Sequence, residues 1–157
     1  MLDSASQYFF RALEFHKAGR LNDAEGAYLA LLQKSPNHSS ALHNMGVVLA
    51  QKRKQIEAIS YFDRAIVSQP DYAEAFNNRG SAQLALGHLQ QAVDSYNQAL
   101  KCKPAYSEAS LNLANVLIRL KRHQDALGIY SNLIETSPDN YKAIFSSGLE
   151  TFLLKPR

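Results

Sequence analysis

The 157-residue chain predicts an all-α fold, a solenoid of antiparallel helix pairs. Three observations carry that prediction. Pro36, Pro70, Pro104 and Pro138 recur every 34 residues. Twelve residues before each proline stands an alanine (Ala24, Ala58, Ala92, Ala126), and four residues after each alanine an aromatic (Tyr28, Phe62, Tyr96, Tyr130). A small residue keeps the same period at Ala12, Gly46, Gly80, Ala114 and Gly148. Independent markers on one period mean a stack of similar units, none of which buries its apolar face alone.

Each period holds two helices. The first is exemplified by the stretch from Ala41 to Lys52, and it closes at Gly19 and Gly87 in two of the repeats. Glycine reaches a left-handed turn there without steric cost. Arg53 and Lys121 hold the same place in the other two, and a left-handed turn at those residues carries strain of about 1 kcal/mol. In the second helix Ala58, Ile59, Phe62, Ala65 and Ile66 make one apolar face at helical spacing. Ala92, Val93, Tyr96, Ala99 and Leu100 repeat that face, as do Ala126, Leu127, Tyr130, Leu133 and Ile134. Proline then stops the helix, because it lacks an N–H and drives its predecessor toward extended backbone. The small residues of the first helix and the alanines of the second let the pair approach closely, and the aromatics fill the gap to the next repeat.

These residues resemble the tetratricopeptide repeat, a 34-residue helix–turn–helix with Leu-Gly, Tyr, Ala, aromatic and closing Pro positions. The clearest match is AFNNRGSAQLALGHLQQAVDSYNQALKCKP, from Ala75 to Pro104. The resemblance divides a single domain spanning 1–157 into repeats at about 5–38, 39–72, 73–106 and 107–140, with a terminal helix at about 141–154. The first repeat departs most, with Arg11-Ala12 for Leu-Gly and Leu31 for Ala. The family implies a right-handed superhelix whose first helices line a concave groove, and a role in protein–protein interaction.

Composition excludes several function classes. The formal charge of +3 is spread without a run of five like charges, so no nucleic-acid arm is present. One cysteine, Cys102, cannot make an internal disulfide, and no apolar run reaches the ~18 residues of a membrane span. His16, His38, His43, His88 and His123 lack a His or Cys partner at helical ligand spacing, so neither metal nor cofactor is expected. No phosphate loop, nucleophile elbow or paired carboxylates are legible. The sequence therefore predicts a non-enzymatic, cytoplasmic protein whose partner is a protein or peptide.

Read onto the family's groove positions, the inner stripe includes Phe9, Phe10, Leu13, His16 and Lys17 at one end. It runs through His43, Asn44, Val47, Gln51, Glu74, Asn77, Asn78 and Ser81, then Glu108, Asn112, Asn115 and Arg119. Asn44, Asn78 and Asn112 occupy one position in three successive repeats, although Asn is a mediocre helix former. A side-chain amide offers a donor and an acceptor, so a stack of them would hold an extended peptide by its backbone. The arrangement resembles the asparagine ladder in the tetratricopeptide region of O-linked N-acetylglucosamine transferases. Under that reading alanine at these positions weakens binding and leaves stability unchanged or higher. The alternative is that each Asn bonds the backbone of a neighbouring helix, or water.

The clamp by which some family members grip a terminal carboxylate is not matched, since Leu13 stands for its Asn and Glu74 and Asn78 for its cations. Two functions remain: an adaptor binding an extended segment of a partner, or the substrate-recognition arm of a larger enzyme such as a glycosyltransferase. Phe145, Leu149, Phe152 and Leu153 give the terminal helix more apolar surface than one neighbour buries, and they are expected to contact a partner or a second copy.

Overall fold

The computed structural model describes residues 4–136, which form eight helices and no strand. In order they are α1 (Ser4–Lys17), α2 (Leu21–Lys34), α3 (Ser39–Gln51), α4 (Gln55–Ser68), α5 (Ala73–Ala85), α6 (Leu89–Cys102), α7 (Ser107–Arg119) and α8 (His123–Thr136). The predicted terminal helix at about 141–154, with Phe145, Leu149, Phe152 and Leu153, lies outside the described residues.

All four turns within pairs close the same way. The N–H of Gly19 bonds the carbonyl of His16, and that of Arg20 bonds Phe15. The same two bonds recur from Arg53 and Lys54, from Gly87 and His88, and from Lys121 and Arg122. This is the Schellman motif, in which one left-handed residue satisfies the last helix carbonyls. Gly19 and Gly87 have φ of 72° and 80°, and Arg53 and Lys121 adopt 61° and 60° despite their side chains. Between repeats, the residues before proline (Ser35, Gln69 and Lys103) leave the helix with φ of −135°, −143° and −140°.

Within a pair the helices meet at almost bare backbone. A Cβ on Gly46 would stand 2.6 Å from the Phe62 ring, and one on Gly80 would stand 2.8 Å from Tyr96. Ala58 and Ala92 are fully buried on the facing helices, and so are Tyr28 and Tyr96 among the aromatics. Burying one such ring contributes about 1.5–3 kcal/mol. Each second helix packs on the next first helix (α2 on α3, α4 on α5, α6 on α7), which makes the stack continuous. A polar clasp adds to one junction: Arg79 on α5 donates to Asp63 of α4 at 2.9 Å and to buried Ser95 of α6 at 2.9 Å. Ser95 in turn donates to Gln83 at 2.7 Å.

The first helices also reach one another, α3 touching α5 and α5 touching α7. Side-chain hydrogen bonds run from each first helix to the next: His16 to Gln51, His43 to Asn78, and Asn77 to both Glu108 and Asn112. First helices drawn together in this way line the inside of the arc. Cys102 is exposed at the end of α6.

Three substitutions test the packing and the turns by urea unfolding. Ala92→Leu forces extra methylenes into a closed contact and lowers stability by about 1–3 kcal/mol, whereas Gln90→Ala on the exposed face changes it by less than about 0.5 kcal/mol. Lys121→Gly relieves the left-handed strain but adds backbone entropy to the unfolded chain, for a net gain of about 0.5–1 kcal/mol. An unchanged midpoint for Ala92→Leu contradicts the tight contact.

Candidate groove on the inner face

A strict 34-residue period puts equivalent residues of successive first helices side by side. One consequence is a cross-link between residues 35 apart, from the ladder position of one repeat to the preceding residue type in the repeat before. Asn78 Nδ2 donates to His43 Nε2 at 2.9 Å, and Asn112 Nδ2 donates to Asn77 Oδ1 at 3.0 Å. At the first junction Phe9 stands where an acceptor would be needed, and its ring stacks instead on His38 with centroids 5.2 Å apart.

The network assigns the state of His43. An amide nitrogen only donates, so Nε2 must accept from Asn78 and the proton must sit on Nδ1. From there it donates to Asn44 Oδ1 at 3.2 Å. The ring is packed beside Phe62 and Tyr72, with centroids 5.9 and 4.9 Å away. Burial lowers its pKa from 6.5, against smaller opposing effects of the Asn44 bond and the Glu74 charge. Burial also acts to raise the Glu74 carboxyl, but bonds from its own backbone N–H and from Lys103 bring it below its ordinary value. Tyr28 is buried with its hydroxyl lacking a well-formed hydrogen bond, and burial pushes its pKa up to about 12, opposed by the nearby Asn44 amide.

The predicted site residues separate into three groups. Asn77 is fully buried, and both ends of its amide are engaged, Nδ2 by Glu108 Oε1 at 3.0 Å and Oδ1 by Asn112. It ties α5 to α7 and presents nothing to the groove. His43, Asn44, Asn78 and Asn112 are half-buried along the inner face. Ser81, Asn115 and Arg119 are exposed there, with Ser81 bonded to the Tyr96 hydroxyl at 3.1 Å and Asn115 accepting from Tyr130 at 3.0 Å.

The ladder thus differs from the sequence expectation in one respect. The donor ends of Asn78 and Asn112 are spent between repeats, so alanine there removes a structural bond and does not leave stability untouched. Their Oδ1 atoms take no hydrogen bond among the described residues. Sequence reading also passed over Gln55, whose Nε2 donates to the Ala50 carbonyl at 3.3 Å while its Oε1 is buried without a partner. The available signal was its register, since the equivalent residues of the first and third repeats are Leu21 and Leu89, with His123 in the fourth. Among the described residues no cluster of metal-ligating side chains occurs, and no helix is long and apolar enough to cross a membrane.

The tetratricopeptide repeat family profile matches residues 11–73, 56–107 and 77–141. No curated protein sequence matches the chain. Among solved structures, the MamA protein superposes with a TM-score of 0.82 at 25% identity, covering 92% of this chain and 79% of that one. The first tetratricopeptide domain of Spaghetti (RPAP3), bound to the HSP90 peptide SRMEEVD, gives 0.73 at 24% identity over 76% of this chain and 97% of that one. An O-GlcNAc transferase mutant of Thermobaculum terrenum gives 0.68 at 26% identity, covering 74% of this chain and 23% of the transferase.

Neutral, half-buried His43 sets a pH dependence. Its folded pKa lies below 6.5, so between those two values the unfolded chain binds the extra proton. Its contribution is complete above 6.5 and is lost as pH falls from there through the lowered folded value. The urea midpoint of the native protein drops more between about pH 7.5 and 5 than that of His43→Gln. Parallel curves for the two proteins contradict the assignment.

Proposed function

The chain belongs to the tetratricopeptide repeat family, and we propose that it is a non-catalytic interaction module that holds an extended segment of a partner protein in the groove lined by α1, α3, α5 and α7. The observation that supports this reading most is the pair of amide oxygens on Asn78 and Asn112, in successive repeats, that take no hydrogen bond among the described residues. Because the nitrogen of each amide is already fixed to the preceding repeat, the oxygen is oriented before any ligand arrives. A peptide N–H meeting it forms a bond without the cost of ordering the side chain. Adjacent packed helices lie about 8–10 Å apart, and an extended chain advances about 3.3 Å per residue. The acceptors of Asn78 and Asn112 therefore serve ligand residues about three apart. Backbone N–H groups are common to nearly all sequences, so this part of the groove reads conformation more than side-chain identity. His43, Asn44, Ser81, Asn115 and Arg119 complete the contact surface, while Asn77 supports it from below.

A second reading keeps the same groove but makes the chain the recognition arm of a larger enzyme. It is favoured by the likeness to the O-GlcNAc transferase, of which the matching region is 23% of the length. On that reading the captured segment is a substrate held for a transferase outside this sequence, and the reading frame that encodes the chain distinguishes the two.

The test is selection of a random peptide library on the immobilised domain, followed by anisotropy titration of the enriched peptides. Asn78→Ala and Asn112→Ala weaken each peptide about 2–13-fold, the worth of one ordinary hydrogen bond. Amide shifts on titration fall on α3, α5 and α7. Affinity unaffected by both substitutions, or shifts confined to α4 and α6, contradicts groove binding.

A further inference from the structure

The inner face carries a notch where the second repeat meets the third. Val47 and Ala50 of α3, Gln55 and Phe62 of α4, and Asn78 and Ser81 of α5 border a cavity of about 300 Å³. Its origin is visible by comparing the repeats. Where Ala50 stands, the first and third repeats carry the larger His16 and Leu84. Where Gln55 stands they carry Leu21 and Leu89, both packed against the core. Phe62 replaces tyrosines whose hydroxyls extend toward the groove, as Tyr96 does in reaching Ser81. Three substitutions to smaller or differently directed side chains thus coincide at one junction, and they leave space beside a ladder residue.

We propose that this notch is a specificity subsite that takes one uncharged apolar side chain, Leu, Ile, Met or Phe, from the bound segment. The subsite rests on the groove binding proposed above. Three features favour that occupant. The cavity has room for any one of these side chains and is too small for a helix. No residue lining it carries a formal charge, so a charged side chain entering it loses hydration without a counter-charge. Asn78 lies on its border, so a peptide whose backbone N–H bonds the Asn78 oxygen has a neighbouring side chain within reach of the notch. The ladder then supplies affinity that is blind to sequence, and the notch supplies the preference.

Library selection on the native protein and on Gln55→Leu tests the subsite. Leucine at 55 restores what Leu21 and Leu89 do in the sister repeats, and it removes a buried acceptor without a partner, so the variant melts no lower than the native protein. Selected peptides share one large apolar residue at a fixed place. Replacing it with Gly weakens binding to the native protein about tenfold or more but less than about twofold to Gln55→Leu. Ala50→Leu, which copies Leu84, gives the same loss of preference by an independent substitution. Peptides that bind the groove with no shared apolar residue, or a preference undiminished in both filled variants, overturn the subsite alone. Absence of any peptide whose binding depends on Asn78 or Asn112 overturns the subsite together with the groove.

Discussion

The contact on which the rest of this structure depends is an aromatic ring laid against helix backbone. Phe62 and Tyr96 lie so close to Gly46 and Gly80 that a single added carbon would overlap the ring. That distance sets how near the two helices of a pair come, and the pair is the unit that stacks. Repeating it every 34 residues brings the first helices into register, and register makes cross-repeat bonds such as Asn78 to His43 possible. A looser pair would shift each first helix relative to the next, and bonds of 2.9–3.0 Å would not recur at a separation of 35 residues.

Structure and recognition share the same side chains on the inner face. Asn78 and Asn112 each direct a nitrogen along the stack and keep an oxygen that takes no hydrogen bond among the described residues, so one group contributes to cohesion and offers a ligand contact. That economy couples the two properties. A partly buried polar link such as Asn78–His43 is costly to break because it strands the partner that remains. His43 extends the coupling to protonation, since an imidazolium would direct a second N–H at a nitrogen that also donates.

Differences between the repeats are as informative as their likeness. The backbone plan tolerates Arg53 and Lys121 at left-handed turns because two hydrogen bonds per turn over-determine the conformation. It tolerates Gln55 where the first and third repeats have Leu, at the expense of a buried acceptor. The first kind of departure changes stability and little else. The second changes the shape of the inner surface, which is where one repeat acquires a property the others lack.

The sequence by itself determined the helix pairs, their number over the described residues, the turns and the contact face. These are local or periodic properties: the spacing of apolar residues, the proline stops, the left-handed places and the 34-residue period. It also picked out the inner stripe, through the family's groove positions, and the triple asparagine, through its register. Tertiary structure decided what each polar group on that stripe does. Asn77 and Asn78 are neighbours in sequence with the same chemistry, yet one is buried with both amide ends engaged and the other keeps an oxygen that takes no hydrogen bond among the described residues. Nothing local separates them, because the outcome depends on the residues 31 and 35 places along the chain that stacking brings to each. The notch at Gln55 was hidden for the same reason. A cavity is the space left by side chains from three helices, and no one segment of the chain encodes it.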